Sequence, residues 1–61
     1  MKTSELIRYL KKQGIKLHRH GKRHDIYINP ENGKKAEVPR HHSKEIGTGL
    51  RNQILEDLGL K

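Results

Sequence analysis

The chain has 61 residues, and its 14 Lys and Arg residues against 7 Asp and Glu residues give a formal net charge of +7. So short a chain is expected to form one domain, residues 1–61, and the absence of cysteine excludes disulfides and thiolate zinc sites. No apolar run approaches the ~20 residues of a membrane span, so we expect no membrane partner. The absence of cysteine is compatible with a reducing location such as the cytoplasm, which we expect for this chain.

The first predicted element is a helix over roughly residues 4–13. Thr3 or Ser4 is expected to cap it, and Glu5 suits the positive end of the helix dipole. Gly14 is a natural terminating residue. The buried face of this helix is predicted from three aliphatic residues at helical spacing: Leu6, Ile7 and Leu10.

Two alternating segments follow the helix and predict a pair of strands. Residues 15–20 alternate apolar and basic side chains, which predicts a half-buried strand with Ile15 and Leu17 on its inner side. A turn at Gly21 leads to residues 24–29, which alternate again and are β-branched and aromatic. The short connection predicts that the two strands are antiparallel neighbours.

A third strand is predicted after the Pro-Glu-Asn-Gly turn at residues 30–33. It covers residues 34–38 and places Ala36 and Val38 inward, and Pro39 ends it or marks an edge. A loop over residues 40–47 follows.

The last predicted element is a second helix over roughly residues 49–58, with Thr48 as its cap and Gly59 after its end. Its buried stripe is predicted from four aliphatic residues: Leu50, Ile54, Leu55 and Leu58. The order α-β-β-β-α predicts an α+β fold, in which a three-stranded antiparallel sheet carries both helices on one face.

The positive charge is concentrated near the start of the chain. Residues 1–24 contain eight basic residues and only Glu5 as an acidic one, whereas the two signs balance over residues 25–61. A concentrated positive field attracts polyanions, of which nucleic acid is the commonest. A solvated face that keeps a small protein in solution is the alternative explanation.

Five histidines are a high count for this length, and four explanations are open. One is acid–base catalysis, because RNA can be cleaved through its own 2′-hydroxyl if a base, an acid and cations are supplied. The others are a metal site, direct contact with phosphate, and exposure to solvent. His18 and His20 are expected to share one face of the first strand as solvated residues. Neither this pair nor the pair at residues 41–42 has zinc-site spacing, which disfavours a metal.

His24 is the sharper candidate for chemistry. It opens the second strand, on the same side as Ile26 and Ile28 but at the rim of the sheet, where water reaches it. Lys22 and Arg23 precede it directly and are suited to hold a phosphate. The spacing therefore predicts a general base or acid beside a phosphate site.

Several segments of the chain also follow one another in a recognisable order. They are Ser-Glu-Leu-Ile at 4–7, Lys-Lys-Gln-Gly at 11–14, Gly-Lys-Arg-His-Asp-Ile-Tyr at 21–27, Val-Pro-Arg-His-His-Ser-Lys-Glu-Ile at 38–46, and Gly-Thr-Gly-Leu-Arg at 47–51. In this order they resemble the HicA family of toxins from bacterial and archaeal toxin–antitoxin pairs. The likeness covers nearly the whole chain, including the family's glycine-then-histidine motif and its Val-Pro-x-His segment.

The resemblance implies a double-stranded-RNA-binding-like fold, which agrees with the element order derived above. It also implies an endoribonuclease that cuts mRNA and inhibits translation, and a HicB-type antitoxin as partner. The composition, with no cysteine and few carboxylates, fits a nuclease that needs neither a metal nor a cofactor. The family's essential histidine corresponds to His24. Arg23 is a departure, because the family usually has a small residue before that histidine. Our own inference adds a set of RNA- or phosphate-binding residues: Lys16, Arg19, Lys22, Arg23, Arg40 and His41.

Two other functions remain open. A non-catalytic RNA-binding module needs the same positive charge and would bind RNA without cutting it. A protein whose main task is to bind an acidic partner is compatible with the toxin hypothesis, and its affinity would fall as salt rises.

Overall fold

The structure is a computed structural model and describes residues 1–40 and 44–61. Over these residues five elements follow one another in the predicted order. They are α1 (Thr3–Lys12), β1 (Lys16–His20), β2 (His24–Ile28), β3 (Lys35–Pro39) and α2 (Thr48–Asp57). The three strands form an antiparallel sheet in the order β1-β2-β3, which confirms the predicted meander. Neither helix is long and apolar enough to cross a membrane.

The start of α1 differs from the prediction. The cap is Lys2 rather than Thr3 or Ser4. Thr3 is fully buried, and its hydroxyl donates to the carbonyl of Lys44 at 3.1 Å, so it holds the segment before α2 instead of capping its own helix. The carboxylate of Glu5 accepts the backbone N–H of Lys2 at 3.0 Å, which satisfies a donor at the helix start. Similarly, α2 is capped by Gly47, and Thr48 is its first helical residue.

Both helices end on glycine, as predicted. Gly14 has φ 85° and Gly59 has φ 74°, a left-handed conformation that side chains disfavour. After α1, the N–H of Ile15 bonds back to the carbonyl of Leu10 at 3.0 Å, and the same bond pattern closes α2. These bonds satisfy helix carbonyls that would otherwise lack partners and turn the chain toward the sheet.

The core lies between one face of the sheet and the two helices. Ala36 and Val38 of β3 face it, as predicted, and Tyr27 of β2 lies beside them. The helices and connecting segments contribute the remaining buried aliphatic residues: Leu6, Ile7, Leu10, Ile15, Ile46, Ile54, Leu55 and Leu58. Both helices therefore cover the same face of the sheet, which confirms the predicted two-layer arrangement.

Two residues predicted to be buried are exposed. Leu17 is 45% exposed because every residue of β1 is exposed: the helices cover β2 and β3 and leave this edge strand open. Leu50 is 47% exposed, since an open groove separates the first turn of α2 from the end of β3. The buried stripe of α2 therefore begins at Ile54.

A bulge in β1 also changes which side its residues face. Leu17 pairs with Tyr27, but Arg19 pairs with Ile26, so His18 is an extra residue in the ladder. The extra residue reverses the alternation beyond it. His20 consequently shares the helix-facing side of the sheet, and the prediction that His18 and His20 lie on one outer face is wrong for His20.

Candidate active site at the turn between β1 and β2

His24 lies at the end of the sheet, as the first residue of β2. It pairs with Pro39 of β3, and the ladder places it on the same side as Ile26 and Ile28, as predicted. That side faces away from the helices, because Asp25 and Tyr27 occupy the buried side. The imidazole is therefore on a solvent-exposed rim.

Within the described residues, His24 borders three depressions. One, of about 480 Å³, lies along the edge strand β3 and is bordered by residues of both the sheet and α2, including Ile26 and Leu50. A second, of about 690 Å³, extends toward Arg40 and Lys44. The third, of about 480 Å³, is bordered by the basic side chains of β1 and the turn: Arg19, Lys22 and Arg23. A ligand at His24 can therefore contact both apolar surface and concentrated positive charge.

Gly21 makes the turn tight enough to hold His24 in this position. Its N–H donates to the carbonyl of His24 at 2.8 Å. A Cβ atom at position 21 would lie 2.5 Å from that carbonyl oxygen, far inside van der Waals contact. Gly21 has no positive φ, so it is space rather than backbone conformation that requires glycine here. The glycine preceding the histidine is thus needed for the close approach of two backbones.

Asp25 is a buried carboxylate next to His24. It faces the helix side of the sheet opposite Val38, and its side chain is 9% exposed. Its Oδ1 accepts from Nδ1 of His20 at 2.9 Å and from Nε of Arg40 at 3.1 Å. Arg40 also donates through Nη2 to the carbonyl of Gly21. Asp25 therefore connects the end of β1 with the segment after β3, and Arg40 connects that segment with the turn.

The pKa of Asp25 is lowered from its ordinary value of 3.8. The hydrogen bond from His20 is the largest cause; burial opposes it, and the hydrogen bond and charge of Arg40 lower the pKa further. Because an ionised carboxylate can only accept hydrogen bonds, Nδ1 of His20 carries a proton in this contact. The contact fixes the orientation of the His20 ring.

The family of the chain follows from comparison with known proteins. A model of the HicA toxin of bacterial toxin–antitoxin systems matches residues 3–60. The chain belongs to the HicA toxin family. A protein of Pseudomonas fluorescens (strain Pf0-1) named "Probable mRNA interferase HicA" is 44% identical over 61 residues, covering 100% of this chain and 98% of the relative. A protein of Photorhabdus laumondii named "Probable mRNA interferase HicA 2" is 44% identical over 62 residues, covering 100% of both chains.

A solved structure supports the same assignment to the HicA family. It is named "Crystal structure of the E.coli HicAB toxin-antitoxin complex", and its matching chain is 37% identical. The match has a TM-score of 0.86 and covers 98% of this chain and 100% of that one. The predicted family and the predicted α+β fold are therefore both confirmed.

The cations predicted for this HicA-family site are in different places. Lys22 and Arg23 lie in the exposed turn directly before His24, and Arg19 borders the same depression. Lys16 pairs with Ile28, which is four residues after His24 in β2. At the usual rise per strand residue, Lys16 is therefore about 13 Å from His24 along the sheet.

The other two predicted contacts differ in kind. Arg40 borders the second depression, but its guanidinium already binds Asp25 and Gly21. His41 lies outside the described residues. A compact group of three cations beside the imidazole therefore remains: Arg19, Lys22 and Arg23.

The HicA-family site contains two features that sequence reasoning missed, the buried carboxylate of Asp25 and its bond to His20. An acidic residue at an inward position of a strand is itself a signal, since a buried charge needs partners. The identity of those partners depends on the bulge at His18, which leaves no clear trace in the residue pattern. Within residues 1–40 and 44–61, no three His, Asp or Glu side chains group closely enough to hold a metal ion.

Proposed function

We propose that this chain is an mRNA-cleaving toxin, a metal-independent endoribonuclease that inhibits translation, with His24 as an acid–base group. The observation that carries the proposal is an exposed imidazole held at the rim of the sheet beside Arg19, Lys22 and Arg23. Membership of the HicA family and the mRNA interferase names of two relatives support it. Because the proposed substrate is mRNA, we expect the toxin to act in the cytoplasm.

The chemistry needs little beyond these residues. The 2′-hydroxyl of RNA attacks the adjacent phosphorus once a base removes its proton, and histidine changes its charge near neutral pH. Negative charge that develops on the phosphate oxygens is stabilised by the nearby cations. Lys22 and Arg23 would bind the phosphate, while Gly21 and Arg40 hold the turn in place.

The proposal includes a HicB-type antitoxin as protein partner. The solved HicAB complex, whose matching chain is 37% identical, supports this assignment. A partner that covers His24 would meet the basic turn and the exposed Leu50, so it would combine acidic with apolar contacts. Binding of such a partner should weaken as salt rises if charges at the rim of the interface contribute.

The test is cleavage of an mRNA fragment by purified wild type, His24→Ala and His18→Ala. His18 is the matched control, because it is an exposed histidine on the same hairpin and lies in the bulge of β1. We expect His24→Ala to lose roughly 10²–10⁴-fold in rate, the usual contribution of an acid–base group, and His18→Ala to retain the wild-type rate.

Other outcomes would contradict the proposal in different ways. Equal cleavage by wild type and His24→Ala would remove His24 from the mechanism. A folded wild type that binds RNA in a salt-sensitive way but never cuts it would instead support the non-catalytic RNA-binding module.

A further inference from the structure

His20 is a second histidine at the same end of the sheet, and it has no role in the mechanism described above. Its side chain is 70% exposed, yet Nδ1 is held at 2.9 Å by the carboxylate of Asp25, which is 9% exposed. The ring is thus oriented on one side and open on the other, which leaves Nε2 available to a ligand. A buried carboxylate that orients an imidazole is a recurring arrangement in acid–base catalysis.

We propose that His20 is the second acid–base group of the site, with Asp25 as its positioning residue. The inference rests on the proposed ribonuclease function and deepens it. His24 then acts as the base, and His20 donates a proton to the leaving oxygen. In its protonated form His20 makes an ion pair with Asp25, and that form is the one able to donate.

The hairpin places the two histidines on either side of the basic turn. His20 pairs with Asp25, and His24 is the residue immediately before Asp25 in the chain. The Cα atoms of the two histidines therefore lie within about 9 Å of each other. The bulge at His18 puts His20 on the helix-facing side of the sheet, whereas His24 is on the other side. Lys22, in the turn, lies between them in the chain.

This arrangement suits the geometry of phosphate transesterification. The attacking and leaving oxygens lie roughly in line on opposite sides of the phosphorus, so the base and the acid have to approach from opposite sides. A phosphate bound at the tip of the turn would have His24 on one side and His20 on the other.

The proton transfers balance. His24 takes the proton of the 2′-hydroxyl as the bond between the 2′-oxygen and phosphorus forms. The bond between phosphorus and the 5′-oxygen breaks, and Nε2 of His20 gives its proton to that oxygen. The products are a 2′,3′-cyclic phosphate and a 5′-hydroxyl. Proton exchange with water then returns both imidazoles to their starting forms, so no metal or redox partner is needed.

The experiment compares ordinary RNA with RNA in which sulfur replaces the bridging 5′-oxygen at one cleavage site. A thiolate leaves readily without a proton, so the sulfur substrate does not need the acid. We expect His20→Ala to lose roughly 10²–10⁴-fold in kcat on ordinary RNA and to cleave the sulfur substrate close to the wild-type rate. Asp25→Asn should show a smaller loss that sulfur also restores.

Controls separate a chemical role from a structural one. His24→Ala should be inactive on both substrates, because the base is still required, and His18→Ala should resemble wild type on both. Thermal unfolding of each variant checks the fold, and we expect His20→Ala to fold because its ring is largely exposed. A merely structural effect of Asp25→Asn would lower both rates equally.

The inference can fail separately from the proposed function. An active wild type together with an unimpaired His20→Ala would overturn the inference and leave the function intact. A loss in His20→Ala that the sulfur substrate does not restore would also overturn it. A wild type that cleaves neither substrate would overturn the proposed function, and the inference with it.

Discussion

Gly21 shows how one missing side chain positions a functional residue. A Cβ atom at this position would lie 2.5 Å from the backbone oxygen of His24, so neither backbone can stay where it is. We expect Gly21→Ala to lower the free energy of unfolding by ~1–3 kcal/mol, the usual cost of inserting a methyl group into occupied space. RNA cleavage should fall as well, because His24 moves. Denaturant unfolding and a cleavage assay measure the two effects.

Gly49 provides the matched control for that substitution. It lies in the first turn of α2, and a Cβ atom there would meet nothing within 4 Å. Alanine is a better helix former than glycine, so Gly49→Ala should raise the free energy of unfolding by about 0.5–1 kcal/mol. If both glycine substitutions changed stability in the same direction, the close contact at Gly21 would not be the cause.

The buried carboxylate of Asp25 should make stability depend on pH. Its pKa is lowered in the folded state, chiefly by the hydrogen bond from His20 and despite opposition from burial. The ionised form therefore adds stability above its ordinary pKa of 3.8, and this contribution is lost as the pH falls through the lowered folded value.

The comparison that tests this is thermal unfolding of wild type and Asp25→Asn between pH 7 and pH 2.5. Wild type should be the more stable protein at pH 7, and the difference in Tm should shrink as the pH falls below 3.8. Glu56→Gln is the control variant, because it removes one negative charge from the exposed face of α2, away from Asp25. A difference that persists unchanged at the lowest pH would show that shape, not charge, accounts for the effect of Asp25.

At the level of elements, α2 separates buried from exposed aliphatic residues within one turn. Ile54 is 2% exposed, whereas Leu50 is 47% exposed at the groove beside His24. Ile54→Ala should cost about 2–5 kcal/mol of unfolding free energy, and Leu50→Ala less than about 0.5 kcal/mol. Urea denaturation of both variants tests this. Equal losses would mean that Leu50 packs in the core.

Hydrophobic periodicity predicted the existence and order of all five elements, because each carries apolar side chains at the spacing of a helix or of a strand. It also placed Ala36 and Val38 inward correctly. It wrongly predicted that Leu17 and Leu50 are buried. Both residues have the spacing of a buried face, but within the described residues no other element of the fold packs against them. Periodicity describes an element, whereas burial also depends on what packs against it.

The same limit applies to the site. Alternation along β2 correctly placed His24 at an exposed rim beside the basic turn. The contact between His20 and Asp25 was out of reach, because the bulge at His18 moves every later residue of β1 to the other side. Bulges depend on pairing between strands and on tertiary packing, which a single sequence does not display.

At the scale of the whole molecule, the basic residues that are clustered in the sequence are divided in the structure between the neighbourhood of His24 and more distant surface. The net charge of +7 comes from residues 1–24, which form α1, β1 and the turn. Only part of this charge lies near His24: Lys16 is at the far end of β1, while Arg19, Lys22 and Arg23 border one depression. The remaining cations are free to attract RNA from a distance without contacting the reacting phosphate.

This division predicts how salt should affect RNA binding. The test uses a His24→Ala background, which prevents cleavage. A plot of the logarithm of the affinity for single-stranded RNA against the logarithm of the salt concentration should fall with a slope of about 0.7 per phosphate contact. Replacing Lys22 and Arg23 with Gln should reduce that slope by about 1.4. Titration of a labelled RNA at several salt concentrations measures it.

The charge-matched control for that slope is the double replacement of Lys34 and Lys61 with Gln. Lys34 precedes β3 at the end of the sheet opposite His24, and its side chain lies against Gly59, two residues before Lys61. This variant also loses two positive charges, so it should weaken long-range attraction slightly but keep the slope of wild type. A reduction of the slope equal to that of the Lys22 and Arg23 variant would mean that RNA responds to total charge. The basic turn would then not be a localised phosphate site.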